Sequence, residues 1–589
     1  VRIALEVSSL EYDIIIRNAL VIDGTGQPAR RASIAIVNGR IAEIGDVRGD
    51  AKRIIEASGL IATPGFIDIH AHGDLTILQY PLAENYVLQG VTTIVGGNCG
   101  FSPAPIKNVW LMSFWEFDWW HEIAPYKYDP DVIQPIEKVN EKLKEKYGWS
   151  IDWRSFSEFL SRVEQTGISV NYIPLIGHNT VRAAVMEKDF KRKARPEEIE
   201  EMRKLVAEAM EAGAFGMSTG LDYIPGAYAD TSEIVELVKV VKEYGGLYFT
   251  HWRSGYRTGD WSRDRVKGLI EAIEIAKKTG VSLQISHIYS VYTVQPLPPK
   301  VLQEAQAKAT LEVIEKARSE GVDVTFDVIP NVDGGLFIIP RLVSYLTPWL
   351  IELGSIEALI RNLKIKEFRD EVKEAIRAGK FRYLNPKVDP LWMDKMRILA
   401  HKNESYVGKT IGEIAKSRNE DPLDTLMNLV IEDPNAKVRR GQIISEHEVP
   451  IYIKHPLAMI GIDTFALDFK WEVKYPPYYL PHPNTYNAYP RFFRKYVKEM
   501  GVLSLEEAVM KVTSMPAKKL GLKDRGIIRK GAWADIVLMN FEKLSDSEDY
   551  IEPRKPPRGI EYVLVNGEIV VDKGEHTGKR AGKVLKHEH

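Results

Sequence analysis

The chain has 589 residues, 79 of them Lys or Arg and 81 Asp or Glu, for a net charge of −2. That length exceeds one ordinary domain and suffices for a large enzyme core, and so small a charge gives no field that would draw the chain to nucleic acid or an anionic membrane. A single cysteine, Cys99, excludes a disulfide within the chain and fits a reducing, cytoplasmic setting.

The opening "VRIALEVSSLEYD" lacks the charged, long apolar and small-residue regions of a secretion signal, and a start on Val1 suggests either trimming or an artificial boundary. No run of roughly 18 apolar residues predicts a membrane span. From Tyr12 onward the chain reads as short strands. "YDIIIRNALVIDGTG" ends on a glycine turn, and "ASIAIVNGRIAEIG" is two strands around an Asn-Gly hairpin signal. The same signature returns at the far end in "ADIVLMNF" and "EYVLVNGEIVVDKGE". Similar β units at both ends suggest one discontinuous β domain, residues 1–62 with 525–589.

Between them, residues 63–524 alternate apolar strand runs with helical segments, the rhythm of a parallel sheet. Eight strands are expected: "LIATPGFIDIH", "VTTIVGG", "SVNYIPLIG", "AFGMSTG", "GLYFTH", "VSLQISH", "VDVTFDV" and "LAMIGID". A helix in "PEEIEEMRKLVAEAMEAG" puts Ile199, Met202, Val206 and Met210 on one face and stops at Gly213. Eight such units make an α/β fold of the (β/α)₈ TIM-barrel type, favoured over an open doubly wound sheet by where the polar residues fall. Two stretches exceed what a barrel needs. Residues 108–154 carry the aromatic run from Trp110 to Trp120, and residues 336–449 are mostly helical and polar, broken by Pro386, Pro390 and Pro422. Insertions of this kind are usually lids or binding loops.

The ends of the expected strands carry the chemistry. Strand one ends in His70 and His72, strand two runs into Cys99, strand five ends at His251, strand six at His287 and strand eight at Asp463. In a barrel these ends ring one face, and a period of two turns His70 and His72 to the same side. Each residue alone has an ordinary structural reading, with Cys99 as a small buried apolar side chain. Together they deliver metal-type ligands and one carboxylate to one place, and imidazole with thiolate is a zinc-like donor set.

The motifs "PGFIDIHAHGD", "GGNCGFSPAP", "GHNTVR", "STGLDYIPGAYAD", "HWR", "QISH", "HPLAMIGID" and "HPNTYNAYPR" follow in order. With them the chain resembles the N-acyl-D-amino-acid deacylase (D-aminoacylase) family of the amidohydrolase superfamily, from about Tyr12 to Lys586. The resemblance implies a (β/α)₈ barrel with a small β-sandwich built from both termini. It implies a tightly held zinc on Cys99, His251 and His287, and a second, weaker site on His70 and His72 that Cys99 can bridge. Asp463 is then the general acid and base.

The departures from the family pattern concern substrate. The family usually has Lys two positions after the strand-six histidine, where this chain has Tyr289, and "HPNTYNAYPR" places Asn484 and Asn487 where the family has Arg and Gly while keeping Arg491. Arg253 is kept in "HWRSG", and Arg257 is a further candidate for a carboxylate. A phenol gives a neutral hydrogen bond where an ammonium gives a charge-assisted one, roughly twice as strong. Tyr289, Arg253, Tyr223, Arg491 and His178 are therefore the expected substrate contacts, with Tyr223 and His178 placed to meet a developing oxyanion. Three functions stay open at this level: cleavage of N-acyl-D-amino acids, hydrolysis of another amide such as a dipeptide or cyclic amide, and a dead barrel used for binding. The expected partner is a small molecule, with no nucleic acid and no membrane; the oligomeric state is left open.

Overall fold

A computed structural model of the chain describes residues 12–111, 132–253, 265–290, 298–332, 341–379, 384, 386, 390–440, 445–469, 482–549 and 552–588. Arg257 and the aromatic run beyond Leu111 lie outside the described residues.

Both termini build one sheet. Tyr12–Val21 pairs antiparallel with Arg30–Val37, which turns back into Arg40–Gly45 through Asn38 and Gly39. Both turn residues have positive φ, 50° and 77°, as the tight hairpin turn of an Asn-Gly pair demands. Ile560–Val565 and Glu568–Asp572 repeat the device through Asn566 and Gly567, at 52° and 81°. Ile536–Met539 pairs with Ile61–Pro64, so strands from the two ends share a nine-stranded sheet. Ile16, Ile34, Ile36, Ile536 and Leu538 pack in the same core against it.

The middle of the chain supplies parallel strands: β1 (Phe66–Asp68), β2 (Val91–Gly96), β3 (Asn171–Pro174), β4 (Gly216–Gly220), β5 (Leu247–His251), β6 (Ser282–Ile285), β7 (Val324–Val328) and β8 (Ala458–Ile460). β3, β2 and β1 form one sheet. After Leu175 the chain of β3 continues as Ile176–Gly177 and starts a second, six-stranded sheet that runs through β4, β5, β6 and β7 to β8. Leu175 itself donates to the carbonyl of Gly96 at 3.0 Å, which ties the two sheets at that junction. Beyond β8 the N–H of Asp463 reaches the carbonyl of His70 at 2.7 Å, and His72 N–H reaches Thr464 at 2.7 Å. β2 and β4 are buried at every position, as parallel strands covered on both faces are.

One expected strand divides. "LIATPGFIDIH" is two elements, Ile61–Pro64 in the terminal sheet and β1 among the parallel strands, with Gly65 between them. A Cβ on Gly65 would collide with Thr92, so only glycine lets the chain cross there. His70 and His72 consequently lie past the end of β1 rather than on it. Their common direction comes from tertiary hydrogen bonds, Ala71 N–H to Val95 and His72 N–H to Thr464, and not from strand period.

The helix expected after β3 spans Pro196–Glu211 and buries Met202, Val206, Ala209 and Met210. Ile199 is half-buried, and Gly213 follows at φ 106°. The second insertion has its own apolar core, with Leu342, Leu346, Ile398, Ile411, Leu426 and Val438 all buried. Pro422 does not break a helix there. It is the first residue of Pro422–Glu432, where its missing N–H is harmless, and Asp421 caps that helix. Among the described residues no helix is long and apolar enough to cross a membrane.

Candidate metal centre

Cys99 sits where β2 ends, in the turn Gly97-Asn98-Cys99-Gly100. Its backbone is left-handed, φ 54° and ψ 25°, a conformation that L residues other than Gly, Asn and Asp seldom adopt. Tight surroundings hold it there. A Cβ on Gly97 would strike the carbonyl of Leu175, one on Gly100 the side chain of Asn179, and one on Gly220 the carbonyl of Cys99 itself. Ser218 accepts the N–H of Gly100 at 2.8 Å and donates to the carbonyl of Gly97. Asn179 donates to Gly220 at 3.0 Å and to Tyr223 at 3.2 Å. Thus "GHNTVR" contributes an asparagine that packs against Gly100 of the cysteine turn and ties the end of β4 to Tyr223.

The other donors converge on the thiol. Cys99 Sγ lies 3.4 Å from His70 Nε2, 3.7 Å from His251 Nδ1 and 3.5 Å from His287 Nε2. His251 Nδ1 and His287 Nε2 are 2.8 Å apart. Asp463 Oδ1 is 3.1 Å from His72 Nε2 and 3.6 Å from His70 Nε2. Three overlapping triads result, each with donor atoms within 4.8 Å of one another: His70, His72 and Cys99; Cys99, His251 and His287; His70, His287 and Asp463. His287 and Asp463 share the left-handed backbone of Cys99, with φ 34° and 57°. Strain of this kind gathers at functional sites.

Charge in the cluster is strongly coupled. Burial disfavours the thiolate of Cys99, but His70, His251 and His287 outweigh it and hold the thiol well below its ordinary range. Burial likewise opposes charge on His72, yet Asp463 and Cys99 lift it to about 9. For His70, Asp327, Cys99 and Asp463 overcome burial and raise it well above its usual value. Asp463 stays below the ordinary carboxylate range because His70, His72 and His287 overcome its own desolvation. Anionic thiolate and carboxylate therefore recruit positive charge into a buried space.

A divalent cation fits that demand. Tetrahedral bonds of about 2.0 Å to nitrogen and 2.3 Å to sulfur separate donors by about 3.3–3.6 Å, close to the spacings around Cys99. Nε2 of His72 and Oδ1 of Asp463 are buried without an aligned hydrogen bond, as donors aimed at a common centre would be.

Several residues around the donors escaped the sequence reading. Asp327 on β7 faces Nδ1 of His70 at 3.2 Å, and Asp222 lies 3.5 Å from His251 Nε2. Asp68 accepts N–H groups from His70 and Ile462, joining the ends of β1 and β8, and burial pushes its carboxyl up to about 8. A charged residue inside an apolar strand such as "VDVTFDV" was the available signal for Asp327.

Of the expected substrate contacts, Tyr223 reaches the centre, its hydroxyl 3.3 Å from His251 Nδ1. Tyr289 stacks on Trp252 at 4.6 Å and lies 6.3 Å from the His287 ring, and the Arg265 guanidinium sits 4.9 Å over it. Arg253 binds Glu271 at 2.9 Å and the carbonyls of Ala227 and Ala229 at 3.0 and 2.8 Å. Arg491 donates to the carbonyl of Pro330 at 3.0 Å and pairs with Glu548. His178 Nε2 is 2.8 Å from Glu233, which Arg182 also holds. Asn484 donates to the carbonyl of Ile462 at 2.7 Å, beside Asp463, and Asn487 to that of Lys555 at 3.0 Å.

The chain is similar to known proteins over nearly its whole length. Residues 478–571 match the model of an amidohydrolase family. The chain is 29% identical to a D-aminoacylase of Alcaligenes xylosoxydans xylosoxydans and 28% identical to an N-acyl-D-glutamate deacylase of the same organism. These alignments cover 98% of this chain in both cases, and 98% and 97% of the relatives. A solved D-aminoacylase with a binuclear metal centre superimposes with a TM-score of 0.70 at 28% identity, over 98% of this chain and 100% of that one. The N-acyl-D-glutamate deacylase of Bordetella bronchiseptica, solved with zinc and a phosphonate mimic of the tetrahedral intermediate, gives 0.69 at 26% identity with the same coverage. With the motif order along the chain and the donor cluster, these likenesses make the chain similar over nearly its whole length to D-aminoacylases and related N-acyl-D-amino-acid deacylases.

Proposed function

We propose that this protein is a zinc-dependent hydrolase that cleaves the amide bond of N-acyl-D-amino acids, releasing a carboxylic acid and a free D-amino acid. The observation that carries the reading is the convergence of His70, His72, Cys99, His251, His287 and Asp463 in a chain similar over 98% of its length to D-aminoacylase. We read β1 to β8 as a single (β/α)₈ barrel, residues 63–524, and the terminal sheet as a small sandwich-type domain of residues 1–62 and 525–589. The hydrogen bonds from Asp463 to His70 and from His72 to Thr464 support closure between β8 and β1.

In this reading Cys99, His251 and His287 hold one zinc tightly, and His70 and His72, with Cys99 shared, hold a second more weakly. Bound there, zinc supplies Lewis acidity that polarises a substrate carbonyl and lowers the pKa of water. Asp463, kept ionised by its histidine neighbours, takes the proton of the attacking water and returns it to the departing amine nitrogen, so one carboxylate serves both steps. The Tyr223 hydroxyl donates to the oxyanion. His178 is paired with Glu233, which Arg182 also holds, so we assign it a positioning role and leave the oxyanion to Tyr223. Because the guanidiniums of Arg253 and Arg491 are engaged by protein groups, we assign the substrate α-carboxylate to Tyr289 with Arg265, whose one hydrogen bond among the described residues is a long one, 3.4 Å to the carbonyl of Ser290.

The test is zinc content of the native protein and of Cys99→Ala, with N-acyl-D- and N-acyl-L-amino acids assayed alongside. Zinc in the native protein, lost in the variant together with cleavage of the D-substrates, is the expected result. A zinc-loaded native protein that cleaves carboxamides or dipeptides but no N-acyl-D-amino acid would replace the substrate and keep the hydrolase.

A further inference from the structure

Asp327, the penultimate residue of β7, is fully buried and lies among three strand ends. Its Oδ1 accepts the backbone N–H of His287 at 2.7 Å and faces Nδ1 of His70 at 3.2 Å. Its Oδ2 accepts from the side-chain amide of Gln284 at 2.9 Å, and Thr325 fixes that amide by donating to its oxygen at 2.6 Å. The main-chain carbonyl of Asp327 takes the N–H of Ile288 at 2.8 Å. Gly461 leaves the room this requires, since a Cβ there would lie 2.8 Å from the Cβ of His70 and 3.2 Å from Asp327 Oδ1. Carboxylate, amide and hydroxyl thus form a chain from β7 through β6 that ends on two histidines of the centre.

The direction of that chain matters chemically. An imidazole whose Nδ1 faces a carboxylate keeps its proton on Nδ1 and offers the Nε2 lone pair. Nε2 of His70 is the atom that lies 3.4 Å from Cys99 Sγ and 3.6 Å from Asp463 Oδ1. The carboxylate oxygen that lies 3.2 Å from Nδ1 of this ring also holds the left-handed backbone of His287, a conformation that needs such support. The alternative orientation, with Nδ1 bare and Nε2 protonated, would turn an N–H toward the centre and close it to a cation.

We propose that Asp327 is a positioning residue for the weaker ion site, holding His70 in the orientation and tautomer that present Nε2 to a cation shared with His72 and Cys99. The inference rests on the zinc reading above and adds to it a residue that touches neither ion nor substrate. Losing such a partner lowers metal affinity by roughly 10–100-fold. Asp327→Ala removes the carboxylate. Asp327→Asn keeps an acceptor for the His287 N–H but lacks the charge, and its effect is expected to be smaller.

The experiment is zinc binding by equilibrium dialysis of the native protein, Asp327→Ala and Asp327→Asn, with thermal unfolding followed in parallel. The expected result is a weak-site dissociation constant raised by about 10–100-fold in the alanine variant and less in the asparagine variant, with the tight zinc kept by the asparagine variant, which still accepts the His287 N–H. If Asp327→Ala fails to fold, the asparagine variant decides alone. Unchanged weak-site affinity in a folded variant overturns the proposal and leaves the zinc reading standing. So does loss of both ions in step with a lowered melting temperature in the asparagine variant, which would make Asp327 merely structural. A native protein that binds one ion only also overturns it, whereas one that binds none overturns the zinc reading itself.

Discussion

Helices of the insertion between residues 341 and 440 end as isolated helices prefer to end. Thr410 and Glu413 cap Ile411–Arg418 reciprocally, Asn419 closes it in the left-handed conformation, Asp421 caps Pro422–Glu432, and Ser355 caps Ile356–Asn362. Below them lies a core of aliphatic side chains such as Leu342, Leu426 and Val438. At the ends of β1, β2, β6 and β8 the same chain does the reverse. Cys99, His287 and Asp463 take left-handed backbones without being glycine, and His72 and Asp463 bury polar atoms that lack aligned hydrogen bonds. The contrast separates what makes this protein stable from what makes it reactive. Where local preference, burial and hydrogen bonding agree, they build a scaffold; where they conflict, they leave donor atoms of the kind a cation binds.

Substitutions on the two sides should fail in opposite ways. Asp463→Asn is the sharpest test on the reactive side. It should cut turnover by about 10³-fold, within the range of lost acid–base catalysis, while zinc content stays the same. Asparagine tolerates φ near 57° at least as well as aspartate, so any fall in melting temperature should come from the lost pairing with His70 and His72 and not from the backbone. Turnover within a fewfold of the native enzyme would remove Asp463 from the mechanism. On the scaffold side, Leu426→Ala opens a cavity in a fully buried position and should lower stability by about 3 kcal/mol in denaturant unfolding. Zinc content of the folded fraction should be unchanged. Zinc lost along with Leu426 would mean that the insertion supports the centre and that the contrast is false.

What the sequence made legible follows the same division. Hairpins marked by Asn38-Gly39 and Asn566-Gly567 were readable because a local rule suffices for them. The parallel strands and their terminal His, Cys and Asp residues were readable from apolar runs that stop on metal-type side chains. Three things were not. The split at Gly65 depends on Thr92, which is distant in sequence. Pro422 reads as a breaker unless Asp421 before it is recognised as a cap. Asp327, Asp222 and Asn179 act through contacts between strands, and no spacing within one segment announces them.

Substrate recognition lies between the two regimes, since Arg265 begins a helix yet leans over Tyr289. Arg265→Ala should raise KM for N-acyl-D-amino acids by about 10–100-fold, the value of one charge-assisted contact. For the matching carboxamides, which lack the anionic group, KM should barely move. An equal rise for both substrate types would show that Arg265 shapes the pocket without reading the carboxylate.

The smallest effect is expected far from the centre, where Arg192 and Arg195 both bind Glu198 at the start of Pro196–Glu211. Hydrogen bonds from Arg192 foremost, with the backbone N–H of Arg195, outweigh desolvation and lower the Glu198 carboxyl from 4.5 to about 2. A carboxyl depressed on folding adds stability wherever it is ionised in both states. That contribution is whole above pH 4.5 and drains away as pH falls toward 2. Glu198→Gln should therefore cost about 1 kcal/mol at pH 7, a figure reduced for solvent screening. The gap between native and variant melting temperatures should narrow steadily from pH 5 to pH 3. A gap independent of pH over that interval would mean that Glu198 stabilises the helix start by shape and neutral hydrogen bonding. The scaffold would then owe nothing to this charge, and its difference from the ion-dependent strand ends would be wider than the ion pairs suggest.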